Sequence, residues 1–135
     1  MRAYPFYPAW DGKKASPVTE WFAHACNRRW GFTNLGIYAN RQMRSGKGLS
    51  VHATGWAVDI GYGTGKENRA KAVQAWDWLI LNTNALGICE IHDYAYGKWG
   101  RGYRCSRGEG SKGVKVFTAD DNAGTPGGTW LHVEV

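Results

Sequence analysis

The spacing of apolar side chains changes along this chain, and the changes mark the elements. Residues 67–82, ENRAKAVQAWDWLILN, carry Ala70, Val73, Trp76 and Ile80 on a 3.6-residue stripe, which predicts an amphipathic helix. Gly87 follows as its stop. An earlier helix is predicted from Ser16-Pro17 onward. Ser16 suits the cap, Pro17 the first helical position and Glu20 the positive end of the dipole, with Gly31 as the terminator. Elsewhere the period shortens towards two. LGIYAN (35–40), WAVDI (56–60), ICEIHDY (88–94), VKVFT (114–118) and TWLHVEV (129–135) read as short strands. The segment GKWGRGYRCSRGEGSKG between the last three reads as a Gly- and Arg-rich excursion. No repeat and no linker interrupts the pattern, so one α+β domain over residues 1–135 is expected.

Composition sharpens this picture in three ways. Nineteen glycines beside eight tryptophans point to a loop-rich fold with a broad aromatic surface or core, not a helical bundle. The longest apolar run, Trp78 to Leu81, is far short of a membrane span. A net charge of +6 favours an anionic partner, either nucleic acid or an anionic wall polymer. The basic residues are scattered instead of lining one helix face, which argues against groove binding to nucleic acid.

Three cysteines (Cys26, Cys89, Cys105) without C-x-x-C spacing exclude a zinc knuckle and fit synthesis in a reducing compartment. The amino terminus, MRAYPFYPAW, has no apolar signal core. The expectation is a monomer made in a cytoplasm, with neither a membrane nor a nucleic acid as partner.

The candidate chemistry lies in SVHATGWAVDI, residues 50–60, and in the closing strand. His52 and Asp59 flank Gly55, which permits a tight turn between them. Asp59 interrupts an apolar strand, where an unpaired carboxylate is costly. His132 interrupts another, with Leu131 and Val133 on the opposite face. Imidazole nitrogen and carboxylate oxygen are both good zinc ligands, and a catalytic zinc keeps about three protein ligands and one open position. Two polar groups in apolar strands make sense together if they share a cation. His24 has no spaced partner and reads as a surface residue of the first helix.

The pattern S-x-H-x-x-G-x-A-x-D (Ser50, His52, Gly55, Ala57, Asp59), followed by W-x-H ending at His132, resembles the D-Ala-D-Ala carboxypeptidase family of zinc peptidases. Phage L-alanyl-D-glutamate endopeptidases and the Hedgehog signalling domain are related to that family. The likeness covers roughly residues 35–135. It implies a small antiparallel sheet flanked by two main helices, in the Hedgehog-like arrangement. It also implies one zinc per chain held by His52, Asp59 and His132, and hydrolysis of stem or cross-link peptides in bacterial peptidoglycan. An arginine before the first motif, Arg41 or else Arg44, would grip a substrate carboxylate through its planar fork. Ser50 would steady the ligand loop.

The same resemblance exposes a gap. Many family members carry an acidic residue three positions before the final histidine, and here that position is Thr129. Glu134 shares a strand face with His132 and is one candidate base. Asp93 and His92 follow the second helix much as the Hedgehog-like domain's acidic residue does, with Glu90 on the face of His92 to orient it. Glu134 and Asp93 rank ahead of His92. The expected protein is a peptidase module of a phage lysin, made without a signal peptide and acting on the wall after release. Its end, three residues after His132, suits a minimal domain or a piece of a longer modular protein. Two rival functions are a zinc-containing wall-binding module that no longer hydrolyses, and a metal-dependent nuclease.

Overall fold

The computed structural model describes residues 1–5, 15–39, 43, 50–121 and 123–135. It is an α+β fold of two helices and one six-stranded antiparallel sheet. Helix α1 (Pro17–Trp30) leads to β1 (Thr33–Gly36), and a single 3-10 turn (Val51–Thr54) leads to β2 (Ala57–Gly61). Helix α2 (Lys66–Leu81) follows, then β3 (Glu90–Asp93), β4 (Arg101–Arg104), β5 (Val114–Val116) and β6 (Trp130–Glu134). The strand order is β1-β2-β6-β3-β4-β5, so the last strand of the chain lies at the centre, between β2 and β3.

Alternation along the central strands divides the sheet into two faces. Val58, Ile60, Ile91, Tyr103, Leu131 and Val133 point one way and are almost wholly buried. They pack with Phe22, Ala23 and Cys26 of α1 and with Ala72, Ala75, Trp76 and Leu79 of α2. Each large aliphatic side chain buried there contributes about 1.5–3 kcal/mol. The opposite face carries Asp59, Glu90, His92, His132 and Glu134. No helix among the described residues is long and apolar enough to cross a membrane.

Several elements differ from expectation for identifiable reasons. Helix α2 buries Ala72, Ala75, Trp76, Leu79 and Ile80 and exposes Ala70 and Val73. Its small alanines face the sheet, so the packed stripe is rotated from the one that hydrophobicity alone selects. The helix ends at Asn82, and Gly87 (φ 69°) serves the turn that follows. The first strand is Thr33–Gly36, all of it exposed, not 35–40; Ile37 is buried just after it. Strand β4 was hidden inside the Gly/Arg-rich segment, because only Tyr103 of its four residues is a large apolar group. Helix α1 matches expectation, with Pro17 in its first turn and Gly31 left-handed at its end (φ 73°). Ser16 occupies the cap position, but its hydroxyl makes no capping bond. His24 is exposed on this helix.

Candidate metal centre

His52 arrives on the 3-10 turn. Its backbone N–H donates to Ser50 Oγ at 3.3 Å, and Gly55 closes the turn in the left-handed region at φ 76°. Any other residue at Gly55 would be strained there. Asp59 and His132 are direct cross-strand neighbours on β2 and β6. The turn lays the His52 ring against that pair, with the two imidazole centroids 4.9 Å apart.

The hydrogen bonds define which atoms remain for a ligand. His52 Nδ1 bonds the Ile37 carbonyl at 2.8 Å, so it carries the proton and Nε2 keeps its lone pair. That Nε2 is buried, lies 3.3 Å from Asp59 Oδ1 and makes no hydrogen bond. His132 Nδ1 lies 3.0 Å from the same Asp59 oxygen, and its Nε2 lies 3.2 Å from Glu134 Oε1. One ligand atom each from His52, Asp59 and His132 falls within 4.8 Å of the others. A buried imidazole lone pair with no donor, facing a carboxylate and a second imidazole, suits a divalent cation.

Electrostatics agree with the geometry. Burial would raise the Asp59 pKa, but the His132 hydrogen bond and the two imidazole rings beside it outweigh it and hold the carboxyl well below the usual range. Burial would lower that of His132, yet its bonds to Asp59 and Glu134 raise it to about 10. Without a metal, the protonated His132 ring pairs with both neighbouring carboxylates, Asp59 and Glu134.

A second group lies beside the first. His92 pairs with His132 across β3 and β6, with ring centroids 5.5 Å apart. Its Nε2 meets Glu90 Oε1 at 2.5 Å, while Arg104 Nε donates to Glu90 Oε2 at 2.7 Å. Burial pushes the Glu90 pKa up, but His92 and Arg104 more than offset it, and the carboxyl stays ionised below its ordinary range. Gly102 stands opposite His92 on β4, and a side chain there would collide with Phe117 and press on the His92 ring. Phe117 packs edge-on to His92, with centroids 5.3 Å apart. A cleft of about 530 Å³ runs over both groups, walled by Tyr94, Phe117 and Trp130 and reached by Arg104 and Arg107.

The expected site residues divide accordingly. His52, Asp59 and His132 converge, Ser50 bonds the backbone of the turn, and Glu90 bonds His92. Asp93 is corrected as a candidate base. It neighbours His92 on the strand and therefore points to the other face, fully buried. Arg69 grips it with two bonds of 2.8 and 2.9 Å, and Arg101 adds a third at 3.1 Å. Glu134 lies on the expected face but is committed, one oxygen to His132 and the other to the hydroxyl of Tyr4. Arg41 and Arg44 lie outside the described residues. Sequence reasoning missed Arg104, Tyr4 and the Ile37 carbonyl, none of which is spaced with a motif. No family model, curated protein or solved structure matches this chain.

Proposed function

We propose that this chain is a zinc-dependent peptidase that cleaves stem or cross-link peptides of bacterial peptidoglycan, in a Hedgehog-like fold. The observation that carries the reading is the buried, unbonded Nε2 of His52, facing Asp59 and His132. The resemblance of S-x-H-x-x-G-x-A-x-D and the later W-x-H supplies the substrate class, and the +6 charge suits an anionic wall. A module made without a signal peptide and acting on the wall after release is consistent with both.

His52, Asp59 and His132 would hold the zinc, which when bound supplies Lewis acidity and lowers the pKa of water towards ~7. The chain's own residues then divide the remaining work. Asp59 and the two imidazoles present their lone pairs from rigid positions, because each ring is anchored through its other nitrogen. His92 is the group left in the cleft to take a proton and deliver it to the leaving amine. Glu90 fixes its ring, and Arg104 fixes Glu90. Tyr94, Phe117 and Trp130 wall the cleft and exclude water from the substrate backbone. Arg41 or Arg44 remains the proposed grip on a substrate carboxylate.

The test is mass spectrometry of fragments released from defined peptidoglycan by the wild type, by chelator-treated protein and by His92→Gln. Peptide fragments should appear with wild type alone. His92→Gln should keep its zinc while the rate falls at least ~100-fold. Full activity in that variant removes His92 from the mechanism. Thr129, in the usual acidic position, favours one second reading: a zinc-containing wall-binding module without hydrolysis. Zinc-loaded wild type that binds wall yet releases no fragment would establish that reading instead. Chelator-sensitive cleavage of plasmid DNA would replace both with the nuclease.

A further inference from the structure

Glu90 and Glu134 face each other directly across β3 and β6, on the same side of the sheet, and both are buried. Like charges in that position repel, so each carboxylate needs its own donors. Glu90 has His92 and Arg104. Glu134 has His132 on Oε1, and the Tyr4 hydroxyl on Oε2. Burial and the neighbouring Glu134 raise the Tyr4 pKa, so its hydroxyl keeps the proton it donates. The Tyr4 ring in turn lies under Arg104, whose guanidinium carbon is 4.4 Å from the ring centroid. Tyr4 therefore touches both the chain of groups ending at His132 and the chain ending at His92.

Its position is anchored and not incidental. The Arg2 N–H donates to the Cys105 carbonyl at 3.1 Å, and Arg2 Nη2 donates to the Ile88 carbonyl at 2.5 Å. Cys105 Sγ meets the Ala3 carbonyl at 3.7 Å. These contacts tie residues 2 and 3 to the ends of β3 and β4, beside Glu90 and Arg104, and deliver Tyr4 to Glu134. A carboxylate held on both oxygens cannot rotate, and a fixed Glu134 fixes the His132 ring through Nε2.

We infer that Tyr4 is a positioning residue of the metal centre, acting through Glu134 to hold His132 in its ligating orientation. This inference rests on the zinc reading above. It assigns a part in metal binding to a residue of the first five, remote in sequence from every ligand. Groups that orient ligands typically change metal affinity by about 10–100-fold when removed.

The experiment measures zinc affinity by competition with a chromophoric chelator, for wild type, Tyr4→Phe, Glu134→Gln and the double variant. Tyr4→Phe keeps the ring under Arg104 and removes only the hydroxyl. It should weaken zinc binding about 10-fold, and Glu134→Gln should weaken it by at least as much. The double variant should bind no more weakly than Glu134→Gln alone, since Tyr4 acts through that carboxylate. Multiplying losses would overturn the route through Glu134. A residue that merely supports the fold would lower the melting temperature of Tyr4→Phe and leave its zinc affinity at the wild-type value, which overturns the inference. Should Glu134→Gln fail to fold, the affinity of Tyr4→Phe alone decides. Wild type that takes up no zinc defeats the metal reading itself, and this inference with it, before any variant is compared.

Discussion

Asp59 and Asp93 are both aspartates in strands next to β6, and each sits among positively charged or chargeable side chains. Asp93 lies on the helix side, fully buried, with Arg69 and Arg101 as partners. Burial would lower the Arg69 pKa, but Asp93 raises it on balance, and Arg101 is itself stacked between Trp76 and Tyr96, 4.2 Å from each ring centroid. The Ala95 N–H adds a further bond at 3.3 Å. Every acceptor of Asp93 is occupied by a donor that cannot leave. Asp59 lies on the cleft side, one quarter exposed, and its partners are two imidazole rings, those of His52 and His132. A carboxylate matched by permanent cations ties a helix to a sheet. One matched by imidazoles leaves room for a different cation.

The two isosteric amide variants should separate these roles most strongly. Asp93→Asn leaves two guanidinium groups without their counter-charge. Breaking a buried pair in this way costs about 3–5 kcal/mol, read as a lower denaturation midpoint. The folded fraction should still bind one zinc per chain. Asp59→Asn should instead abolish tight zinc uptake by elemental analysis, while the metal-free protein still folds and loses only the stability of the Asp59–His132 pair. Zinc loss in folded Asp93→Asn, or full zinc occupancy in Asp59→Asn, would erase the distinction.

This contrast also marks what could be read before any coordinates. The convergence of His52, Asp59 and His132 was legible because two of them share a short motif and the third interrupts an apolar strand. The α+β class followed from helical and alternating spacing. The exclusion of Asp93 was within reach as well: strand alternation that puts Glu90 beside His92 must turn Asp93 away. The resemblance to an acidic residue after the second helix hid that parity. Arg104 and Tyr4 were not legible, because their partners are set by which strands become neighbours and by where residues 2 and 3 dock. The face of α2 was missed because periodicity records hydrophobicity and ignores volume, so Val73 looked like a better core residue than Ala72 or Ala75.

A smaller effect concerns protons at Asp59's partner. In the metal-free protein His132 is protonated up to about 10, whereas ligation needs its Nδ1 lone pair. Zinc uptake at neutral pH should therefore expel about one proton from this site, and affinity should rise about tenfold per pH unit through the neutral range. Calorimetry in buffers of different ionisation enthalpy measures the proton count. The sign for the metal-free fold is opposite. A pKa raised above its ordinary 6.5 gives stability that is fully present below that value and fades as pH rises through about 10. Metal-free protein should thus lose this contribution in alkali while the zinc form gains affinity. Zinc uptake with no proton release would mean that His132 is already neutral and that Asp59 is balanced in some other way.

The smallest effect is expected at Ser50, which touches the backbone of His52 and not its ring. Its hydroxyl accepts the His52 N–H at 3.3 Å, a long bond that stabilises the start of the 3-10 turn. Ser50→Ala should cost about 0.5–1 kcal/mol of stability, the lower part of the range for losing such a cap. The His52 ring has its own anchor in the Ile37 carbonyl, and Gly55 shapes the turn independently. Zinc affinity should therefore change less than about threefold, well below the loss expected when a group bonded to a ligand ring is removed. Chelator competition run beside thermal melts checks both numbers. A Ser50→Ala protein that melts like wild type but loses zinc would mean that the turn, and not the Ile37 carbonyl, aims His52 Nε2 at Asp59.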